Sequence, residues 1–589
     1  MADYPIEGVF EVAINGRPYR AFQEQHQRSF LQVIRQQADA AEEPSERSLN
    51  PEDLWRRSQD DWILGSGQRV YDDIESARKR YHDSAGVTPW TKGELSLLHE
   101  VERIDSLTGS FSHAVIAQDK LFIAGENTLH IWDGSSWSES SSVANTIRSL
   151  ATDGTNVYIA ERNDAADAGS IQILTRGSTT PALFNTVIPD LVAYERGRLL
   201  VSAGWAIFNI MDIEDQGPPD PITAAAINEE WVWDAFGSGM SYIYVSGHSD
   251  QLSMVYRISI REDGTALTPP VAATQLPDGE FVTAIDAYMG VILLGTTKGM
   301  RLAIPQGGSL QYGPLIETDE PVRAFEGQGR YVWFGADAGL MRADLSRFLP
   351  SPLDLAPASA ADLEAPSGIS GPVTGVFTIG GRRLFIVEDE GVYHEVLGDF
   401  EPVGTFESGK ITYALPDAKQ FMYLDLATQI EGNDSVEAFV SLDDGPWESI
   451  GVLDVNTQSE NFDIAPRRGD KLQVRLELHS ADGTTTPVVT RFTLLALPVP
   501  RRTEQVQVLL DLSQSLIALN GSAKSQDVWE EFYALQELVR QGTPVTYQEF
   551  GETYRASLEN VQWGPTLAAD ERNTSWEGPC QVTLKVYAS

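Results

Sequence analysis

Cysteine is almost absent. Cys580 is the only one in 589 residues, so no intramolecular disulfide can staple the fold and no thiolate cluster can hold a metal. Hydrophobic runs are short, and none reaches the ~18 apolar residues of a membrane-spanning helix. The opening MADYPIEGVF lacks a basic segment followed by an apolar one, so no secretory signal is expected. Positive charge is scarce, with 43 Lys and Arg against 85 Asp and Glu. The resulting net charge of −42 repels phosphate backbones, which argues against a nucleic-acid ligand. Chemistry motifs are missing as well. The eight histidines include no HExxH pair, and no Walker loop, dinucleotide GxGxxG or GxSxG elbow occurs in its required setting. No cofactor and no metal site are expected.

What is present is a repeat. An apolar residue, a few variable positions, a Gly- or Asp-bearing turn and a dense β run recur seven times. The copies are FSHAVIAQDKLFIAG, IRSLATDGTNVYIA, IPDLVAYERGRLLVSAG, VWDAFGSGMSYIYVSG, VTAIDAYMGVILLG, VRAFEGQGRYVWFG and VTGVFTIGGRRLFIVE, starting 36 to 51 residues apart. That period suits four-stranded blades rather than helical repeats. Each unit is amphipathic and cannot bury its face alone, so a closed seven-bladed β-propeller over 105–405 is expected. The Pro- and Ala-rich stretch 349–371 reads as a long surface loop between the last two blades.

The flanks differ from the repeat. In residues 1–104, Asn15-Gly16 marks a two-residue hairpin, and Asn50 followed by Pro51 marks a helix start. This region reads as an extended docking arm. Residues 406–500 offer seven short strands with turn signals, the pattern of a β-sandwich. Residues 501–589 read as a small α+β domain whose helix has Ser525 as N-cap, Val528, Phe532, Leu535 and Val539 on its apolar face, and Gly542 at its stop. The fold class is therefore mainly β, with propeller, sandwich and a C-terminal α+β module behind an N-terminal arm.

Candidate chemistry is sparse. Asp190, Asp234 and His113 share one column of the repeat, two residues after the leading apolar position, where inner strands line a channel. A pair of carboxylates there would suit a glycosidase. The other copies place Ser149, Ala284, Ala324 and Gly375 in that column, so no acidic ring is expected and the chain is read as a non-enzyme. Trp132, Trp137, Trp205 and Trp447 are candidates for stacking on sugars, with packing as the blander role. The turn Asp482-Gly483 is acidic but matches no EF-hand loop.

The succession SLNPEDLWRRSQDDWILGSGQRVYDD, then VTPWTKGELSLL, resembles the N-terminal signature of minor tail proteins from siphophages of actinobacteria. The residues that carry the resemblance are Trp55, Trp62, Gly65, Gly67, Gln68, Pro89, Trp90 and Thr91. It implies a virion component at the tail tip or baseplate, made in the host cytoplasm. It also implies other tail proteins as partners and homo-oligomers in threes or multiples of three. Trp55, Trp62, Gly65, Gly67, Gln68 and Trp90 would then be the subunit-docking residues. Deleting residues 1–100 would leave a folded chain that fails to assemble. A host-glycan receptor, or a propeller glycosidase, remains the alternative.

Overall fold

The computed structural model describes residues 11–22, 27–33, 55–71, 79–104, 107, 111, 113–210, 219–222, 229–262, 264, 267–318, 321–336, 339–346, 358–364, 371–414, 418–499, 501–517, 523–525, 527–549, 552–570 and 573–587. The chain is mainly β, and its one helix among the described residues is Val528–Gln541. It divides into two compact units, Ala38–Leu497 and Met1–Gln37 with Pro498–Ser589.

In the larger unit, each copy of the repeat becomes an antiparallel hairpin. The first is Ala114–Ala117 with Lys120–Ala124, and the seventh is Val373–Ile379 with Arg382–Val387. Each hairpin opens its own sheet, and seven small sheets follow one another between 114 and 400. Two of them close in ways the local pattern does not announce. The sixth takes Ala358–Glu364 as its last strand, so part of the expected 349–371 loop is paired. The remainder of that loop, apart from Gly371, lies outside the described residues. The seventh takes His99–Arg103, from before the repeat, beside Gly391–Phe400.

Successive sheets share hydrophobic cores. Leu293 and Leu302 of the fifth meet Val332 and Phe334 of the sixth. Trp333 and Leu340 of the sixth meet Val376 and Phe385 of the seventh. The last core joins Leu384 and Ile386 of the seventh to Leu121 and Ile123 of the first. Each sheet thus buries both faces against neighbours, which is why no copy is stable alone.

Residues 403–498 form two further sheets around one core that includes Phe406, Phe421, Leu424, Val436, Leu476 and Phe492. The N-terminal region completes both. Trp55–Gln59 pairs with Val488–Pro498, and Asp83–Ala85 pairs with Val403–Glu407. The helix expected from Asn50 therefore does not continue through Trp55. The residues 50–54 lie outside the described part, and 55–59 is a strand because the partner edge at 492–496 claims its backbone.

The smaller unit joins chain ends. Val12–Ile14 and Arg17–Ala21 form the expected hairpin, with Asn15 at φ 50° and Gly16 at φ 80° as a type I′ turn requires. These strands and Gln27–Val33 lie in one sheet with 501–512, 545–549, 552–563 and 573–587. Arg501–Leu512 pairs with Arg17–Ala21 on one side and Asn573–Tyr587 on the other, so six antiparallel strands close on themselves. The expected single arm over 1–104 is thus divided between the two units. The helix is capped by Asp527, whose carboxylate accepts from Trp529 N at 3.0 Å and Glu530 N at 3.3 Å, rather than by Ser525. Ser525 ends the short strand Ala523–Ser525 instead. Gly542 stops the helix at φ 63° and donates to Leu538 O.

Cys580 is fully buried in this unit, and burial pushes its thiol up to about 12. The native chain is therefore expected to resist maleimide at neutral pH and to label only once this unit unfolds. Labelling of native protein within minutes would contradict that packing.

Candidate functional site

The first strands of all seven sheets line one cavity of about 760 Å³. Four of those strands begin with a bulge, at Ile147/Ser149, Trp233/Ala235, Val282/Ala284 and Val373/Gly375. A bulge turns one extra side chain out of the regular alternation. The extra residues are Arg148, Asp234, Thr283 and Thr374, all polar. Two of them stitch neighbouring sheets together. Thr283 Oγ1 donates to Val322 O, and Thr374 Oγ1 donates to Phe111 O at 2.7 Å. Ser149, beside the second-sheet bulge, exchanges 3.3 Å hydrogen bonds with the backbone of Val192.

The column of His113, Asp190 and Asp234 separates in space. His113 and Asp234 line the cavity, whereas Asp190 does not. Asp190 holds the Arg162 guanidinium and accepts from Gly204 N at 2.6 Å. Asp234 accepts from His248 Nδ1 at 2.8 Å, and His248 packs on Phe281 with ring centroids 4.8 Å apart. Burial raises the Asp234 carboxyl, and the His248 contact opposes the rise. Burial, with Arg323 and Arg148 nearby, pulls His113 down to about 4, so it is neutral at physiological pH. The two aspartates are thus engaged by different partners, Arg162 and His248, rather than paired with each other.

A second set of acids escaped the sequence reading. Glu195 and Asp286 line the cavity from the third and fifth sheets, and Glu326 lies next to the cavity-lining Phe325 of the sixth. Burial is the main cause raising all three carboxyls, and Asp286 adds to the rise at Glu195 and Glu326. Glu195 reaches about 7. These acids sit later in their copies of the repeat than the column searched, and they share no strand position: Glu195 ends 191–195, Asp286 lies within 282–288 and Glu326 is second in 325–328.

A raised carboxyl favours the protonated folded state, so its contribution is present below the unfolded value and lost as pH rises through the folded one. Wild-type stability is therefore expected to fall relative to Glu195→Gln between about pH 4.5 and about 7. Denaturant midpoints at pH 4 and pH 8 check this. A wild-type and variant difference that is constant across that range would sink it.

The six expected docking residues are engaged inside the larger unit. Trp62 is fully buried, edge-on to Phe406 at 6.2 Å. Trp55 packs 5.8 Å from Tyr413. Gly65 adopts φ +76° so close to the sixth sheet that a Cβ would fall 2.1 Å from Ser359 O. Ser66 N donates to that same carbonyl at 2.7 Å. Gly67, at φ +100°, donates to His82 O at 2.9 Å, and Gln68 N donates to Tyr81 O at 2.7 Å. Trp90 is 7% exposed, edge-on to Tyr331 at 5.4 Å, with the Arg342 guanidinium 5.6 Å from its ring. The Trp-Gly-Gln element is a clasp between the two-sheet core and the sixth sheet. Trp62 and Trp90 present almost no surface to a partner.

The sugar-stacking candidates divide too. Trp132 and Trp137 lie 6.3 Å apart and pack on the core between the seventh and first sheets. Arg475 covers Trp447 at 4.3 Å, and Trp205 is 36% exposed. The Asp482 carboxylate is used by Thr484, from its N–H and hydroxyl, within its own turn. Glu437, Glu477 and His479 bring ligating atoms within 4.8 Å of one another on one sheet face, the only such cluster found among the described residues. They could hold a divalent ion there, though nothing else marks the spot.

No protein-family model and no curated protein matches this chain. Its fold is similar to several solved structures at low identity. The Dos1 propeller matches at 12% identity and TM-score 0.35, covering 58% of this chain and 96% of its own. Apo AztD from Citrobacter koseri matches at 10% and 0.33, covering 67% and 97%. PorZ, a surface component of the type-IX secretion system of Porphyromonas gingivalis, matches at 12% and 0.35. That match covers 62% of this chain and 46% of PorZ, so the chain spans less than half of PorZ. At these scores the likenesses decide nothing about function.

Proposed function

We propose that the seven sheets are the blades of a closed β-propeller, that the two-sheet core beside them is a β-sandwich, and that the chain is a non-catalytic minor tail protein of a phage tail tip or baseplate. The propeller reading is supported by the core that links the seventh sheet to the first and by the fourth strand drawn from His99–Arg103. The tail reading is supported by the resemblance of the Trp-Gly-Gln and PWT segments. The observation that carries a structural role is the clasp: the motif residues are spent on tying the sandwich to the sixth blade, as a rigid display platform needs. Asp190 and Asp234 being held by Arg162 and His248 favours this over glycoside hydrolysis. In this role several copies surround the tail axis, with other tail proteins as partners, and weak host-surface contacts add up by avidity. Gold-labelled antibody raised against the purified chain is expected to mark the tail tips of the siphophage particles whose genome encodes it. Particles that bind no label, with the chain absent from their digests, would overturn the proposal.

A host-glycan receptor is the second reading, favoured by one observation. The cavity joins the Phe281 ring to hydrogen-bonding His248, Thr283 and Arg323. A glycan array with the full chain separates the two, since no binding at millimolar sugar removes the receptor reading.

A further inference from the structure

The smaller unit carries an aromatic cluster that it does not cover. Trp529 and Tyr533 lie one turn apart on the helix Val528–Gln541, with ring centroids 6.0 Å apart. Trp529 also meets Trp576, from the hairpin 566–577, at 6.2 Å and Trp563 at 4.9 Å. Trp529, Tyr533 and Trp576 remain 38%, 59% and 42% exposed. Leu567, opposite Trp576 in the hairpin, is 55% exposed. Contiguous exposed aromatics of this kind mark contact surfaces, because Trp and Tyr supply the anchors of protein interfaces.

Two observations say what covers it. Elsewhere this chain lays guanidinium groups over its aromatic rings. Arg342 sits over Trp90, Tyr331 and Trp333, Arg475 over Trp447, and Arg28 over Tyr554. Among the described residues no cation lies over Trp529, Tyr533, Trp563 or Trp576. The helix is also acidic. It bears Glu530, Glu531 and Glu537 after the Asp527 cap, against Arg540, which pairs with Glu537 at 2.6 Å. Glu531 is taken by Arg17 and Tyr19. Glu530 is exposed, one residue after Trp529 and three before Tyr533, beside the open rings.

We propose that this cluster docks an arginine- or lysine-bearing segment of a partner protein, its cations stacking on Trp529, Tyr533 and Trp576 beside Glu530. Cation–π contact and the carboxylate act on the same group, and the net charge of −42 steers a basic partner in. A sugar platform would have no use for the charge bias. The inference stands on the cluster itself and does not require the partner to be a tail protein.

Biolayer interferometry of the full chain over an immobilised, capped peptide of alternating Gly and Arg tests it. Salt-sensitive binding is expected, and Trp529→Ala/Trp576→Ala, which leaves every charge in place, is expected to weaken it about tenfold. Trp205→Ala, an exposed indole of the other unit, is expected to leave affinity unchanged. If the double variant loses its thermal transition, Tyr533→Ala, at the most exposed ring of the cluster and again with every charge in place, gives the same test. Equal affinity of these variants and wild type would reduce the binding to general electrostatics and overturn the proposal. Binding of a neutral hexasaccharide such as maltohexaose, with none of the peptide, would overturn it in favour of a carbohydrate platform.

Discussion

Trp62→Ala is expected to destabilise the larger unit by about 3–5 kcal/mol, among the largest effects of any single change in the chain. The indole is fully buried in the core that contains Phe406, Tyr81 and Phe492, and it meets the Phe406 ring edge-on. Truncation leaves a cavity that flanking strands cannot fill, because 55–59 and 83–85 are fixed by pairing on two different sheets. The loss also loosens the turn that follows, where Gly65 N donates to Trp62 O at 2.9 Å and Ser66 N reaches Ser359 O. Urea midpoints of wild type and variant measure it. A loss under about 1 kcal/mol, the scale of surface changes, would mean that Trp62 is an exposed docking residue after all.

Glu280→Ala comes next. The Glu280 carboxylate takes Arg301 Nε at 2.7 Å and the terminal nitrogen Nη2 at 2.8 Å, with both residues buried. Arg301 also donates to Gly313 O at 2.9 Å and lies over Tyr312. Removing the carboxylate strands a buried guanidinium, which costs about 3–5 kcal/mol. Replacing both partners by Met removes the stranded charge, so Glu280→Met/Arg301→Met is expected to recover most of that loss. If single and double variants are equally unstable, the pair matters through shape and not through charge.

Much of the local structure is readable from residue order alone. Strands alternate with period two, and Gly-bearing turns such as Asn15-Gly16 reverse them, so each copy of the repeat predicts its own hairpin. The helix stop at Gly542 is equally local. What the sequence cannot announce is which edge a strand will find. His99–Arg103 pairs with a strand nearly three hundred residues later, and Arg17–Ala21 with one near 511. A period of two tells which side chains face inward but carries no address for the neighbouring strand. That is why residues 1–104 read as one arm while their backbone completes sheets in both units. Asp527 displaced Ser525 as cap for a related reason, since the preceding strand had already taken Ser525. At the cavity, the acids Glu195, Asp286 and Glu326 are brought near one another only when different sheets converge. No single copy of the repeat contains that proximity.

Residues 55–103 belong to the fold and are not an appendage. Deleting residues 1–104 removes His99–Arg103 from the seventh sheet and Trp55–Gln59 and Asp83–Ala85 from the two-sheet core. In the other unit it removes the hairpin that joins Val545–Glu549 to Arg501–Leu512. Calorimetry of the chain 105–589 tests this most directly. The truncated chain is expected to show no native-like cooperative transition in either unit and to expose hydrophobic surface. A soluble truncated chain that melts as wild type does would contradict it and restore the separate docking arm.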